Sequence, residues 1–211
     1  RDVVYQEALQ AATELLPAGG RVQVEVVPEG QDLAEMACGV IERVLAEGSG
    51  PCRVALAGGS TPRRVYERLA ERDLPWDRLR LFIGDERAVP CDHEDSNYRM
   101  IQETLLAGGQ SRPDLVHRWP TELDPAAAAE AYERTLRDEF GGWPCFDLVL
   151  LGMGEDGHTA SLFPGSPALE VCDRPVAANP VGGSQGWRLT LTLPALKAAR
   201  RILFMVGGQA K

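Results

Sequence analysis

The sequence predicts an α/β fold, a doubly wound, mainly parallel sheet flanked by helices. Three observations carry that reading. Segments with the two-residue period of a strand alternate with segments of helical period. The apolar run at residues 146–151 has the pattern of a parallel strand covered on both faces. Glycine-rich or charged segments follow three of the strands directly, at the strand ends where such sheets bind ligands.

The elements follow in order along the chain. Residues 3–16 place Leu9, Ala12, Leu15 and Leu16 at helical spacing and stop at Pro17 and a glycine pair, predicting a short N-terminal helix. Residues 21–27 alternate as a strand does, and residues 32–45 carry Leu33, Met36, Ala37, Val40, Ile41 and Val44 on one helical face. A short apolar strand is expected at 53–57, a helix with proline in its first turn at 62–70, and a strand at 79–83. Helices follow at about 97–106 and at 124–140, then the strand at 146–151. The tail adds an extended stretch at 188–193, a short helix from near Pro194, and a strand at 201–206 that runs into Gly207 and Gly208. No internal repeat or long linker divides the chain. Residues 1–211 are therefore expected to form one domain, with 1–20 as a helical extension.

Composition narrows the function. A net charge of -9 repels nucleic acid and anionic membrane surfaces, so neither is an expected partner. An anionic small substrate needs a site built locally from a few cations and backbone N–H groups. The five cysteines are odd in number, widely spaced and without a C-x-x-C pair, which argues against a disulfide framework and a zinc site and fits a cytoplasmic protein. No run of about 18 apolar residues is present to span a membrane.

The three strand-end segments carry the chemistry. Gly58-Gly59-Ser60-Thr61-Pro62 enters a helix, so its N–H groups and hydroxyls can cradle a phosphate; the competing reading is a tight turn capped by Ser60 or Thr61. It is neither a G-x-S-x-G elbow nor a P-loop. Gly84-Asp85-Glu86-Arg87 is followed by Ser96-Asn97-Tyr98. Arg87 is the anion-binding candidate there, with Asp85 and Glu86 as orienting carboxylates. Gly152-Met153-Gly154-Glu155-Asp156-Gly157-His158 puts a proton-exchanging imidazole in a loop where glycines let backbone donors crowd a reacting oxygen. Asp156 is placed to orient it. His93 and His117 read as structural. No metal is expected, because three histidines without ligand spacing make a poor donor set.

These segments, in this order, resemble the 6-phosphogluconolactonase family. The resemblance covers residues from about 24 to the end and rests on G-G-S-T-P, D-E-R-x-V-P with S-N-Y, F-D-L-x-L-L-G-x-G-x-D-G-H-T-A-S-L-F-P, R-x-T-L-T-L-P, and G-G-x-x-K. The stretch at 179–187 departs from the proline-rich segment common in the family before the arginine. The resemblance implies a fold shared with sugar-phosphate isomerases and hydrolysis of 6-phospho-D-glucono-1,5-lactone in the oxidative pentose phosphate pathway. It implies His158 as general base, Asp156 as its partner, and Arg87 as a substrate-binding or oxyanion-stabilising residue. Gly59, Ser60, Thr61, Asp85, Arg188 and Lys211 are implied for substrate and phosphate binding. No cofactor is implied, and the protein is expected to act as a monomer or weak homodimer. The oxyanion falls to Arg87 or to the N–H groups of residues 152–157. Glucosamine-6-phosphate deaminases share the D-G-H block but carry an acid five residues after the histidine, where this chain has Phe163. A sugar-phosphate sensor would need an attached DNA-binding module, for which about 20 residues before the core are too few.

Overall fold

The computed structural model describes residues 21–27, 32–108, 112–182 and 186–207. The helix expected at 3–16 and the site residue Lys211 lie outside the described residues. Five strands form a parallel sheet in the order β4-β2-β1-β5-β8. They are β1 (Cys52–Leu56), β2 (Leu79–Ile83), β4 (Val116–His117), β5 (Leu148–Leu151) and β8 (Ile202–Phe204). The chain steps outward from β1 through β2 to β4, then resumes at β5 on the other side of β1 and continues to β8. The order reverses between β1 and β5, which makes their carboxyl ends the topological switch point, where open sheets hold ligands.

The helices are α1 (Leu33–Ala46), α2 (Ser60–Leu69), α3 (Asn97–Glu103), α4 (Pro125–Phe140) and α5 (Leu193–Lys197). Asp32 caps α1 by accepting from Ala34 N–H at 2.9 Å, and Asp124 caps α4. Gly141 ends α4 in the left-handed conformation. β5 is buried along its whole length, as a central parallel strand between helices must be. None of the described helices is long and apolar enough to cross a membrane.

A second sheet was not expected from the sequence. β3 (Asp85–Arg87), β7 (Trp187–Leu191) and β6 (Val176–Pro180) pair antiparallel in the order β3-β7-β6. The chain crosses from one sheet to the other at Gly84, whose N–H donates to Leu56 O and whose carbonyl accepts from Leu191 N–H, both at 2.8 Å. The extended stretch placed at 188–193 is β7 of this sheet, and α4 packs against β6.

The strand expected at 21–27 does not form. These residues run as irregular chain, with Val22, Val24 and Val26 exposed. Alternation supplies an apolar face, but a strand also needs a neighbour to take its N–H and C=O groups, and no described strand pairs with this one.

Two buried tyrosines hold the strand ends that lead into the site. Tyr66 Oη accepts from Ala57 N–H and donates to Ala57 O, both at 2.9 Å. Tyr132 Oη does the same for Ile83 at 3.0 and 3.1 Å, and Trp119 Nε1 adds a bond to Ile83 O at 2.8 Å. Buried backbone groups at a strand end have no ladder partner, and these hydroxyls supply one without admitting water.

Candidate active site

The turn after β1 delivers the first group. Gly59 is the N-cap of α2, and neither Ser60 nor Thr61 caps with its side chain; both fall in the helix's first turn. The first intrahelical bond runs from Arg63 N–H to Gly59 O, so the N–H groups of Ser60 and Thr61 precede it and face outward. Thus the hydroxyls and the first amides stand together at the switch point. Gly58 has a tighter constraint, since a Cβ there would lie 2.0 Å from Asn97 Oδ1. Asn97 is thereby seated against the backbone of this turn.

The segment after β2 divides its charges between scaffold and site. Glu86 is 1% exposed and accepts from the N–H groups of Arg87, Asn97 and Tyr98 at 2.7 to 2.9 Å, and from Ser96 Oγ at 3.2 Å. It anchors the N-terminus of α3. Burial raises its carboxyl above the usual range, with those backbone bonds opposing. Asp85 points the other way and accepts from Ser161 Oγ at 2.8 Å. Burial raises its carboxyl too, opposed by Ser161, Arg87, Arg188 and His158 in that order. Arg87, Arg188 and His158 therefore all lie within electrostatic reach of Asp85.

The small sheet brings two arginines together. Arg87 on β3 stands directly opposite Arg188 on β7, and Arg188 stands opposite Asn179 on β6. Register partners of an antiparallel pair put their side chains on one face, with Cβ atoms about 5 Å apart. Arg87 is steered by its Nη1, which donates to Asp95 O at 2.5 Å and to Asn97 Oδ1 at 3.1 Å. Burial and then the neighbouring Arg87 lower the pKa of Arg188, whose Nε is buried without a hydrogen-bond partner among the described residues. Like charges in register cost stability, so a pocket that keeps them is prepared for an anion.

The loop after β5 carries the proton-exchanging group. His158 Nδ1 lies 2.5 Å from Asp156 Oδ1, and its ring stacks on Phe163 at 4.2 Å between centroids. Burial raises Asp156, but the side-chain and backbone bonds from His158 outweigh it and hold the carboxyl below its ordinary value. An ionised Asp156 accepts the hydrogen bond from Nδ1–H, which leaves Nε2 as the unprotonated ring nitrogen. Gly154 makes room for this, because a Cβ there would lie 2.2 Å from the imidazole. Ala160, at φ 48°, is the one described non-glycine residue with positive φ, and it turns the chain so that Ser161 reaches Asp85.

Asp85, Arg87, Arg188, Asp156 and His158 are thus gathered at one end of the two sheets, with Gly59, Ser60 and Thr61 linked to them through Gly58 and Asn97. His93 and His117 stand apart. His93 Nδ1 accepts from Asp95 N–H at 3.1 Å, and His117 stacks on Phe82 at the sheet edge. Sequence reasoning missed Ser161, Asn97 and Asn179, which bond to the site rather than carry its charge. Among the described residues, no group of three or more His, Cys, Asp or Glu side chains is placed to hold a metal ion.

Comparison with known proteins bears on what this site does. The family model described as glucosamine-6-phosphate isomerases/6-phosphogluconolactonase matches residues 28–211. The 6-phosphogluconolactonase of Synechocystis is 44% identical over 90% of this chain and 81% of its own length. That of Rattus norvegicus is 36% identical over 92% and 80%. The structure of 6-phosphogluconolactonase from Trypanosoma cruzi matches with a TM-score of 0.82 at 33% identity, covering 90% of this chain and 82% of that one. A monomeric glucosamine-6-phosphate deaminase, at a TM-score of 0.72 and 20% identity, shares the fold.

Proposed function

The chain belongs to the glucosamine-6-phosphate isomerase/6-phosphogluconolactonase family, and with that as premise we propose how its residues carry out lactone hydrolysis. It is a hydrolase that opens 6-phospho-D-glucono-1,5-lactone to 6-phospho-D-gluconate, a step of the pentose phosphate pathway. The observation that carries the mechanism is the short Asp156–His158 contact at Nδ1, which leaves Nε2 without a hydrogen-bond partner among the described residues.

His158 Nε2 takes a proton from water as the water oxygen attacks C1. The carbonyl electrons move to oxygen, and the resulting oxyanion is stabilised by Arg87 together with N–H groups of the loop at 152–157. Collapse breaks the bond from C1 to the ring oxygen, which leaves as the 5-hydroxyl after receiving the proton back from His158. A δ-lactone is already prone to hydrolysis, so a base, a positioned water and an oxyanion binder suffice without a covalent intermediate. Asp156 balances the imidazolium while it exists.

Arg188 holds the phosphate with the first amides and hydroxyls of α2 at Gly59, Ser60 and Thr61, and Lys211 is assigned to the same group. Asp85, bonded to Ser161, lines the sugar. One substrate carrying negative charge at the phosphate and developing it at C1 answers both members of the Arg87–Arg188 pair. Phe163 against His158 supports hydrolysis over deamination, because a phenyl ring carries no proton. We assign the reaction to the cytoplasm, supported by five free cysteines, and the working unit to a monomer or weak homodimer.

The test is release of 6-phosphogluconate from freshly generated lactone, corrected for spontaneous opening, with ammonia release from glucosamine 6-phosphate run alongside. Acceleration of the first alone is expected. Ammonia release would move the assignment to the deaminases.

A further inference from the structure

Arg87 and Arg188 face each other in one row of the small sheet, yet among the described residues only Arg87 has a side-chain partner that fixes its guanidinium, Asn97. Arg188 has a neighbour of the same kind in the next position of the row, Asn179. Asn179 is fully buried, and its Nδ2 donates to Ser161 O at 2.9 Å and Ser166 Oγ at 3.0 Å. Because Ser161 O only accepts, the amide orientation is fixed with Nδ2 on that side. Its Oδ1 is buried without a hydrogen-bond partner among the described residues, as is Arg188 Nε. A buried orphan acceptor and a buried orphan donor thus sit on register partners.

Each orphan forfeits a hydrogen bond that water would have supplied, and native interiors keep few such groups. Two complementary ones on adjacent strands answer each other. We propose that Asn179 is a positioning residue for Arg188, whose Nε–H is received by Asn179 Oδ1 when an anion seats against the guanidinium. Without the anion, Arg188 faces the like charge of Arg87 in the same row of the sheet. An anion seated against Arg188 offsets the charge of Arg87 opposite it, and the Nε edge turns to Asn179 while the Nη atoms hold the anion. Asn179 also holds the carbonyl of Ser161, whose hydroxyl binds Asp85.

This rests on the reading of Arg188 as a phosphate ligand, and inorganic phosphate is the probe. Its inhibition constant against lactone hydrolysis, with KM and kcat, is measured for wild type, Asn179→Ala, Arg188→Lys and the double variant, with Ser166→Ala as control. Asn179→Ala is expected to raise the phosphate inhibition constant about tenfold, the scale of a hydrogen bond to a charged group. It is expected to add less than about twofold in the Arg188→Lys background, where no guanidinium Nε–H remains. Ser166→Ala removes a bond from the same amide without touching Oδ1, and leaves the constant unchanged. Equal effects of Asn179→Ala in both backgrounds, or an equal effect of Ser166→Ala, would overturn the coupling.

Should Asn179→Ala fail to fold, the unaltered protein still decides. Hydrogen exchange of the Arg188 Nε–H, assigned by its absence in Arg188→Lys, slows when phosphate saturates, and unchanged exchange would overturn the proposal. Wild type that hydrolyses the lactone but does not bind phosphate would instead overturn the reading of Arg188 on which it rests.

Discussion

Asp156 and His158 meet across two residues of one loop, while Arg87 and Arg188 lie half the chain apart and meet because β3 and β7 pair. The base side of the site is local: a carboxylate, an imidazole and a glycine that leaves them room. The anion side is assembled from two strands of the small sheet, a helix start that follows the large one, and buried amides. Local geometry survives many changes elsewhere. Assembled geometry depends on register, so the two sides should fail in different ways when altered.

The largest expected effect is on the base side. His158→Ala should lower kcat by a factor on the order of 10² or more, the usual loss for a general base, read from initial rates at saturating lactone. Arg188→Ala should raise KM by roughly 10-fold or more with a smaller change in kcat, since its contact lies away from the reacting carbon. A fall confined to kcat would place Arg188 at the chemistry and erase the division between the sides. Asp156→Asn should cost roughly tenfold in kcat, less than losing the base itself.

Stability offers a subtler break. Because Arg87 and Arg188 repel each other across the strands, saturating phosphate should raise the wild-type melting temperature, and Arg188→Ala should abolish most of that rise. The smallest expected effect is at Asp85. Burial raises its carboxyl pKa in the folded state, so the cost of ionising it is present above that raised value and vanishes as pH falls through the ordinary range near about 4. Asp85→Asn should therefore melt about 2 °C higher than wild type near neutral pH, with the gap closing as pH is lowered. A gap that widened on acidification would mean that Arg87 and Arg188 outweigh burial there.

The same contrast explains what could be read from the sequence. The alternation of strands and helices from residue 32 onward, the buried run of β5, and the Asp156–His158 loop are local patterns, and the structure carries them. Arg188 could be singled out through its resemblance motif, but nothing in spacing alone pairs it with Arg87. Asn97, Ser161 and Asn179 gave no local signal of their roles, and Glu86, legible as a carboxylate of its motif, gave none of its anchoring of α3, because a buried polar residue is distinguished by the partner it finds. The strand expected at 21–27 failed for a related reason: alternation describes one strand's face, and pairing is a property of two. Gly58 and Gly154 lie between these cases. A glycine in a motif is legible, but the side chains it makes room for, Asn97 and His158, are known only from the folded chain.

The division itself is tested most directly by the crossed pair of measurements: the phosphate inhibition constant of a weakly active His158→Ala, and the kcat of Arg188→Ala. If the base and anion sides are separate devices, the first stays within about twofold of wild type and the second falls far less than the kcat of His158→Ala. Loss of phosphate binding in His158→Ala, or a matching collapse of kcat in Arg188→Ala, would contradict it and make the site a single interdependent unit.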